Sequence, residues 1–365
     1  MKVAIVHYWL INMRGGEKML EALLEMFPDA DIYTHVYNPK AVSALINSRR
    51  IFTSRINRLP FAKKLYQLYL PLMPKALMGF DLQQYDLLIS SESGPAKGVV
   101  PNPNAYHLCY CHSPMRYLWD MYHDYLRGAN PFVRFFMKRM IPALRIWDIT
   151  SANMVDRFIT NSNYVAKRIR RIYQREAKVV YGPAEIEKFM YRERTPSDYY
   201  LFFGQLTGYK RADIAIEACI KSGRKLMVAG AGAKKKDIKK YEKTGLVIFK
   251  GRVGDEEILE LYGSAKALLY PGIEDFGLIP IEANAAGCPV IAFRGGGALE
   301  TLKENVTGIF FDEQTPQSLV SAMDFFEKNE VTFKDRQLFN KHVEGFSKKE
   351  FIRRIKSVLE EKAFI

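Results

Sequence analysis

Short apolar runs of strand length alternate with longer amphipathic segments along the chain, and this alternation constrains the fold more than any other feature. In the first half, such runs occupy 3–9, 85–91, 105–111, 157–162 and 177–182. Segments with a helical period lie between them, for example at 16–27 and 163–173. Continuous apolar strands joined by helices are typical of parallel sheets that are covered on both faces. The sequence therefore predicts an α/β fold built from repeated βα units.

The same pattern starts again near residue 199, which predicts two tandem Rossmann-like domains. Strand-like runs follow at 199–206, 224–232, 246–253, 265–272 and 289–296. Helical segments occupy 211–222, 255–265 and 277–287. A stretch with two prolines and mixed charge, 182–198, reads as the joint between the domains.

These features set the predicted domain boundaries at 1–182 and 183–345, followed by a C-terminal helix within 346–365. The helix is basic and amphipathic, with Ser347 placed to cap it. We expect it to pack back on the N-terminal domain.

Composition narrows the classes of protein and of partner. Four cysteines without a C-x-x-C pair indicate a reducing compartment, and no apolar run is long enough to span a bilayer. The net charge is +14, and residues 1–180 contain 25 Lys or Arg against 13 Asp or Glu. A basic half predicts an anionic partner, such as a phosphorylated substrate, a lipid surface or nucleic acid. A lysine-biased soluble surface is the alternative.

The most informative motif follows the strand that ends at Tyr270. Glu274 lies in a loop, Phe276-Gly277-Leu278 opens a helix, and Glu282 comes eight residues after Glu274. Ligands of α/β sheets bind at the carboxyl ends of the strands, and helix N-termini there favour anions. Carboxylates accept strong hydrogen bonds from sugar hydroxyls. Alternatively, Glu274 caps the helix and Glu282 is solvated, but this leaves the glycine triplet at 295–297 unexplained.

Three weaker motifs accompany it. Gly15 and Gly16 precede the first helix, where an anion could approach or an ordinary turn could lie. Lys210 and Arg211 stand at a helix start and could neutralise a diphosphate, or form a surface pair. His112 follows a strand, where it could donate a hydrogen bond to a ligand or serve as a structural histidine.

Taken together, these motifs resemble glycosyltransferase family 4, the retaining, nucleotide-sugar-dependent enzymes with the GT-B fold of two Rossmann-like domains and an interdomain cleft. E-D-F-G-L-I-P-I-E resembles the family's Glu-x7-Glu element, and the likeness extends over nearly the whole chain. Y-C-H-S-P-M-R-Y-L-W-D-M-Y-H-D-Y and Y-K-R-A-D-I-A-I-E-A most resemble a bacterial branch that builds O-antigen and related polysaccharides, often with mannosyltransferase activity.

The resemblance implies a role for each matching residue. Glu282 would bind the nucleotide ribose, Glu274 the donor-sugar hydroxyls, Lys210 the diphosphate and His112 the transferred sugar. Further donor contacts are implied at Gly204, Gln205, Arg211, Phe276, Gly277, Leu278, Gly15 and Gly16. No metal and no resident cofactor is implied, because the nucleotide sugar is a co-substrate.

Two departures from the family pattern bear on activity. Gln205 stands where the family usually has arginine, so that Arg211 or another cation would have to substitute, or activity would be lower. At the joint, Gly182-Pro183-Ala184-Glu185 replaces a typical Pro-Pro-Val-Asp.

The resemblance thus implies a hexosyltransferase with an N-terminal acceptor domain and a C-terminal donor domain. It would move mannose from GDP-mannose to a saccharide or lipid-linked acceptor in surface polysaccharide synthesis. It would work in the cytoplasm, peripherally on the inner membrane face, without nucleic acid. Segments 49–77 and 131–147 mix cations with large apolar residues, as membrane-surface segments do, or else belong to the core. The competing interpretations are a UDP-sugar transferase, a sugar-nucleotide epimerase, a nucleic-acid-binding protein and an inactive transferase-like scaffold.

Overall fold

The structure, a computed structural model, describes residues 1–190, 194–333 and 335–361. It divides into two compact units. Unit 1 contains residues 1–183 and the chain from 351 onward, and unit 2 contains residues 184–350. Within the predicted joint and the predicted C-terminal helix, residues 191–193 and 362–365 lie outside the described residues.

Unit 1 is built on a seven-stranded parallel sheet in the order β3-β2-β1-β4-β5-β6-β7. Its strands are β1 (Val3–His7), β2 (Asp31–Thr34), β3 (Ile51–Thr53), β4 (Leu87–Glu92), β5 (Tyr106–Cys111), β6 (Arg157–Thr160) and β7 (Ala177–Val179). Five of these strands were predicted from apolar runs and are confirmed. The remaining two, β2 and β3, were not predicted.

The helices between the strands of unit 1 differ in how they begin, and some of them have a side-chain capping contact. They are α1 (Gly15–Met26), α2 (Ala44–Asn47), α3 (Ala62–Leu65), α4 (Met73–Leu77), α5 (Tyr122–Gly128), α6 (Pro131–Ser151) and α7 (Asn163–Tyr173). At the start of α6, the Asn130 side chain accepts a hydrogen bond from the Val133 amide at 2.9 Å. Ser162 does the same for the Val165 amide at the start of α7, at 3.1 Å. Such caps satisfy amide groups that the helix itself leaves unpaired.

Unit 2 contains a six-stranded parallel sheet in the order β10-β9-β8-β11-β12-β13. Its strands are β8 (Tyr200–Phe203), β9 (Leu226–Ala229), β10 (Val247–Gly251), β11 (Leu268–Tyr270), β12 (Val290–Phe293) and β13 (Gly308–Phe311). Its helices are α8 (Ala212–Lys221), α9 (Lys235–Glu242), α10 (Asp255–Ser264), α11 (Leu278–Ala285), α12 (Ala298–Thr301), α13 (Pro316–Lys328) and α14 (Arg336–Val343). The prediction of two Rossmann-like parallel sheets is confirmed.

The last helix, α15 (Lys348–Glu360), contributes its apolar face to the core of unit 1. The Ser347 hydroxyl accepts a hydrogen bond from the Glu350 amide at 3.2 Å, which confirms the predicted cap. Phe351 and Ile355 are buried in that core, where the Phe351 ring lies 5.8 Å from the Tyr110 ring. Burying each such side chain contributes about 1.5–3 kcal/mol.

In both sheets the strand order reverses once in the middle. The reversal lies between β1 and β4 in unit 1 and between β8 and β11 in unit 2. Connections leave the two flanking strands toward opposite faces, which opens a crevice at their carboxyl ends where ligands bind in such folds. Among the described residues, no helix is both long and apolar enough to cross a membrane.

A buried ionic network ties the core of unit 1 together. The Lys97 ammonium lies 3.1 Å from a Glu92 carboxylate oxygen and also contacts Asp148, and all three side chains are fully buried. Asp148 accepts further hydrogen bonds from Trp119 at 2.7 Å and from Tyr173 at 3.0 Å. Burial opposes the charge of Lys97, but the two carboxylates outweigh burial and raise its pKa. The network therefore keeps Lys97 charged inside unit 1.

Candidate functional site

In unit 2, the structure brings Lys210 and Glu274 together at the crevice of the sheet. Lys210 follows β8 in a single helical turn before α8, and Glu274 lies in the loop after β11. The Lys210 Nζ and Glu274 Oε1 atoms are 2.9 Å apart, and their side chains are 11% and 21% exposed. The strands that precede them are the two that flank the reversal of strand order. An ion pair that solvent reaches only partly is therefore centred where a ligand is expected.

Glycines let the neighbouring loops approach Lys210 closely. Gly204 has φ of +140°, and a Cβ atom there would lie 3.0 Å from the Lys210 Nζ atom. At Gly272, a Cβ atom would lie only 2.7 Å from the Lys210 Cα atom. Gly230, after β9, packs so tightly on the Gly204 carbonyl that a Cβ atom would come within 1.9 Å of it. Main-chain contacts of this kind hold the lysine in position.

The glycine triplet at 295–297 holds the Glu274 loop in a similar way. The Gly297 amide donates a hydrogen bond to the Glu274 carbonyl oxygen at 2.9 Å. A Cβ atom on Gly297 would lie 2.2 Å from the Phe276 carbonyl oxygen, and one on Gly296 would lie 2.5 Å from the Glu274 carbonyl oxygen. Any larger residue would push the loop away, so these glycines position Glu274 and Phe276.

Helix α11 begins directly after this loop. Gly277, with φ of +99°, precedes its first residue, Leu278, so Glu274 is not its N-cap. The first amides of a helix carry partial positive charge and favour an anion. Thr301 and Tyr270 hydroxyls lie 3.3 and 3.4 Å from where a Cβ atom of Gly277 would be. Phe276 is buried, whereas Leu278 is partly exposed.

Glu282, on the second turn of α11, is a partly buried carboxyl group. Burial is the main cause that raises its pKa, to about 7, and Glu185 and Asp255 add to the effect by repulsion. Lys188 and Lys210 act in the opposite direction. At neutral pH this carboxyl group exists in both protonation states, so that it can accept or donate a hydrogen bond.

Gln205 stands where the family usually has arginine, and Arg211 is the cation that could substitute for it. Neither residue takes part in the Lys210–Glu274 ion pair. Gln205 is exposed. The Arg211 guanidinium makes hydrogen bonds to both carboxylate oxygens of Asp213, at 2.9 to 3.1 Å. Arg211 is thus engaged by its neighbour on α8, and Lys210 is the cation that faces Glu274.

In unit 1, His112 follows β5 and contacts polar groups at the ends of the central strands. Its Nε2 atom lies 3.0 Å from the Ser91 hydroxyl, which lies 2.9 Å from the Nδ1 atom of His7. His7 and Ser91 are register partners on β1 and β4. Burial, with a contribution from His7, lowers the pKa of His112 to about 3, so the imidazole is neutral at physiological pH. His7 and Ser91 were not predicted as site residues, although both are polar residues near the ends of buried strands.

The glycine pair at the start of α1 has a packing role in the structure. A Cβ atom on Gly16 would lie 2.4 Å from the Tyr8 hydroxyl oxygen. Tyr8 is buried, and this burial is the main cause that raises its pKa. Gly15, the first residue of α1, is partly exposed. Gly16 therefore makes room for Tyr8 beside the helix N-terminus.

Within the part of the chain that the structure describes, no three His, Cys, Asp or Glu side chains are grouped as metal ligands would be. The four cysteines are free and buried. That the reaction needs no metal stays a prediction.

Two family models match the chain. The model described as "Glycosyltransferase Family 4" matches residues 13–188, and "Glycosyl transferases group 1" matches residues 184–362. Together they account for both units and almost the whole length of the chain. The chain therefore belongs to the family 4 and group 1 glycosyltransferases.

Individual relatives are similar over shorter stretches. An uncharacterized glycosyltransferase of Methanocaldococcus jannaschii is 34% identical over 34% of this chain and 34% of its own length. Human alpha-1,3/1,6-mannosyltransferase ALG2 is 36% identical over 25% of this chain and 22% of its own. The O-antigen chain mannosyltransferase C of Escherichia coli is 26% identical over 39% of this chain and 40% of its own. These alignments thus span less than half the length of each relative.

Solved structures establish the fold over the full length. Anabaena HepE, crystallised with UDP, has a TM-score of 0.68 at 16% identity and covers 99% of this chain and 100% of its own. Sucrose-phosphate synthase from Thermosynechococcus elongatus has a TM-score of 0.72 at 16% identity and covers 99% of both chains. At such identities the likeness shows the fold alone, which is GT-B.

Proposed function

We propose that the chain is a retaining hexosyltransferase that moves a hexose from a nucleotide sugar to a saccharide or lipid-linked saccharide. The observation that carries the proposal is the Lys210–Glu274 ion pair at the crevice of unit 2, beside the N-terminus of α11. A diphosphate needs cations and amides, and a sugar needs a carboxylate, and this crevice offers all three within one set of loops.

In this mechanism, Lys210 exchanges its contact with Glu274 for the diphosphate of the donor. The bond from the anomeric carbon to the diphosphate breaks, and Lys210 with the first amides of α11 stabilises the negative charge that develops on the phosphate. Glu274, freed from its partner, orients the sugar through its hydroxyl groups. A bond from the acceptor oxygen to the anomeric carbon forms on the same face, and the acceptor proton passes to the departing phosphate. Glu282 binds the ribose and His112 the transferred sugar.

The proposed donor is GDP-mannose, and the proposed setting is the synthesis of O-antigen or a related surface polysaccharide. The names of the human and Escherichia coli relatives, both mannosyltransferases, support this choice. A UDP-sugar transferase of the same fold is the alternative.

A ligand panel tests the proposal directly. A ligand that binds only the folded protein raises its melting temperature, so GDP-, UDP-, ADP- and dTDP-sugars are compared by thermal shift. We expect GDP-mannose to give the largest shift and to yield a mannosylated acceptor that retains the anomeric configuration. Conversion of the sugar without any transfer would indicate an epimerase. If no nucleotide sugar shifts the melting temperature, the transferase assignment is wrong.

We further propose that unit 1 binds the anionic inner face of the membrane, from the cytoplasm, to reach a lipid-linked acceptor. Segments 49–77 and 131–147 contain 11 Lys or Arg and no Asp or Glu. Several large apolar side chains in them are exposed, among them Phe61 at 75%, Phe132 at 72% and Phe135 at 65%. An apolar groove of about 410 Å³ runs between the segments and is lined by Leu68, Leu72, Phe132, Phe136, Met137 and Met140. Exposed aromatic residues among cations, without acids, match the chemistry of an anionic bilayer surface.

Liposome co-sedimentation tests this second proposal. We expect binding to vesicles that contain anionic phosphatidylglycerol, weaker binding at high salt, and little binding to neutral vesicles. A Phe132→Ser, Phe135→Ser double variant should lose most of the binding, whereas Phe325→Ser, an exposed phenylalanine on α13, should not. Equal binding of the wild type to neutral and anionic vesicles, or no binding at low salt, would contradict the proposal.

A further inference from the structure

Four side chains form a polar chain at the carboxyl ends of the central strands of unit 1. The Glu17 Oε1 atom lies 3.6 Å from the Nε2 atom of His7. The Nδ1 atom of His7 lies 2.9 Å from the Ser91 hydroxyl, which lies 3.0 Å from the Nε2 atom of His112. His7, Ser91 and Glu17 are at most 1% exposed, so water does not interrupt the chain.

The Glu17 carboxylate at one end determines which atom donates and which atom accepts in each hydrogen bond of this row of side chains. Glu17 is held by the Arg14 amide, which donates to Oε2 at 2.9 Å and leaves Oε1 facing His7. At 3.6 Å the contact is electrostatic, and an unprotonated His7 Nε2 atom would set a lone pair against a carboxylate. His7 therefore carries its proton on Nε2, and its Nδ1 atom is an acceptor.

The remaining protons follow from the single hydrogen of a serine hydroxyl. Because the His7 Nδ1 atom accepts, Ser91 must donate to it. The Ser91 oxygen is then free to accept, and the only proton that can reach it along the chain comes from the Nε2 atom of His112. The lowered pKa of His112 leaves that ring neutral, with one proton in total.

We propose that Glu17, His7 and Ser91 form a hydrogen-bond relay that holds His112 in the tautomer protonated on Nε2, so that its Nδ1 atom presents an acceptor. His112 is partly exposed, and its Nδ1 atom makes no hydrogen bond to any residue that the structure describes. Such an atom accepts a hydrogen bond from a sugar hydroxyl and does not donate to a phosphate. This consequence for the ligand rests on the proposed function, whereas the tautomer itself does not.

A second buried histidine, His107, provides an internal control for the tautomer of His112. The Nδ1 atom of His107 lies 2.9 Å from the Met154 carbonyl oxygen, so it must carry the proton, and Nε2 accepts from Ser90 at 2.8 Å. His107 is thus expected in the opposite tautomer. Ser90 is the neighbour of Ser91 on β4, which makes Ser90→Ala a matched control for Ser91→Ala.

Nitrogen-15 NMR of the free protein labelled at histidine tests the relay, because protonated and unprotonated ring nitrogens have distinct chemical shifts. The chain has six histidines, and a His112→Asn variant assigns the signals of His112. We expect His112 to be protonated on Nε2 and His107 on Nδ1. A His112 ring protonated on Nδ1 in the wild-type protein would overturn the proposal.

The variants then test which groups impose the tautomer. Ser91→Ala and Glu17→Gln should each produce a measurable population of His112 protonated on Nδ1. Ser91→Thr, which keeps the hydroxyl group, should retain His112 protonated on Nε2. Ser90→Ala should change the signals of His107 and leave those of His112 in place. Should Ser91→Ala fail to fold, the nearly isosteric Glu17→Gln decides the question. A His112 tautomer that stays unchanged in the folded variants would refute the relay.

The activity assay adds a readout that distinguishes positioning from binding. We expect Ser91→Ala to lower kcat about 10-fold with a smaller change in KM, since a misplaced contact acts mainly on the transition state. An unchanged kcat with an altered tautomer would contradict the proposed role of His112 in transfer without affecting the relay, whereas absence of any transfer by the wild-type protein would contradict the proposed function.

Discussion

Each unit has one reversal of strand order and a crevice beside it, but the two units differ in how deeply their charged side chains are buried. Unit 1 encloses the Glu92–Lys97–Asp148 network completely and keeps a neutral imidazole, His112, at its crevice. Unit 2 places its central ion pair, Lys210–Glu274, where solvent still reaches it. A buried charge that is fully paired cannot be exchanged, whereas a partly open pair can give up its partner for a ligand. This difference is what the proposed function requires, with enclosed charge that maintains the fold in unit 1 and an accessible ion pair that can bind a ligand in unit 2.

The largest effect should come from breaking the enclosed network. Lys97→Met leaves two carboxylates buried side by side, and we expect it to lower the free energy of unfolding by about 3–5 kcal/mol. The control is Arg294→Met in unit 2, whose guanidinium is 40% exposed and contacts Glu304 and Asp312. Its loss should cost about 1 kcal/mol or less. Urea denaturation measures both, and equal losses would remove the distinction between the two units.

The open ion pair should matter for turnover rather than for folding. Lys210→Ala removes the cation that we propose meets the leaving diphosphate, and we expect kcat to fall about 100-fold, or about 3 kcal/mol of transition-state stabilisation. The melting temperature should change little. Lys250→Ala, at a surface lysine 3.8 Å from Glu257, is the matched control and should leave kcat intact. Near-normal turnover of Lys210→Ala would refute its role.

A substitution at Glu282 should change the free energy of unfolding less than Lys97→Met does, and should raise it instead of lowering it. Its pKa, raised to about 7 by burial, means that the folded protein binds this proton more tightly than the unfolded chain does. Stability is therefore lost as pH rises from about 4.5 to about 7. Glu282→Gln mimics the protonated form and should raise the free energy of unfolding by about 1–3 kcal/mol at pH 8, with little change at pH 4.5.

The same Glu282→Gln variant should bind the nucleotide more weakly, because a carboxylate accepts stronger hydrogen bonds from the ribose than an amide does. Glu256→Gln, at an exposed position on α10, is the control for both measurements. Calorimetry that finds unchanged nucleotide affinity in Glu282→Gln would exclude this residue from the binding site.

Most of the fold could be predicted because strands buried on both faces are apolar throughout. Several of the exceptions have physical reasons. β2 and β3 are only four and three residues long, and β2 begins with Asp31, whose charge is compensated by Arg50, the residue directly before β3. α6 was not predicted as a helix because it contains Pro142 and exposes several of its apolar side chains.

The residues of the unit 2 site could be named from motifs, but their contacts could not. Nothing local in the sequence shows that Lys210 reaches Glu274, because the approach depends on how two distant loops pack through glycines. The same holds for His7 and Ser91, which become neighbours of His112 only through the order of the strands. Residue identity can be read along the chain, whereas pairing across a parallel sheet is set by its topology.

The glycine contacts around the Glu274 loop have a consequence for how such a protein can diversify. Gly296 and Gly297 lie close against the carbonyl oxygens of Glu274 and Phe276, so contacts to its backbone help to anchor the loop. Ile273 and Asp275 are partly exposed beside it. Substitutions at these two positions would change the side chains next to Glu274 and leave the backbone contacts of the loop in place, which makes them suitable positions for redesign of the candidate site.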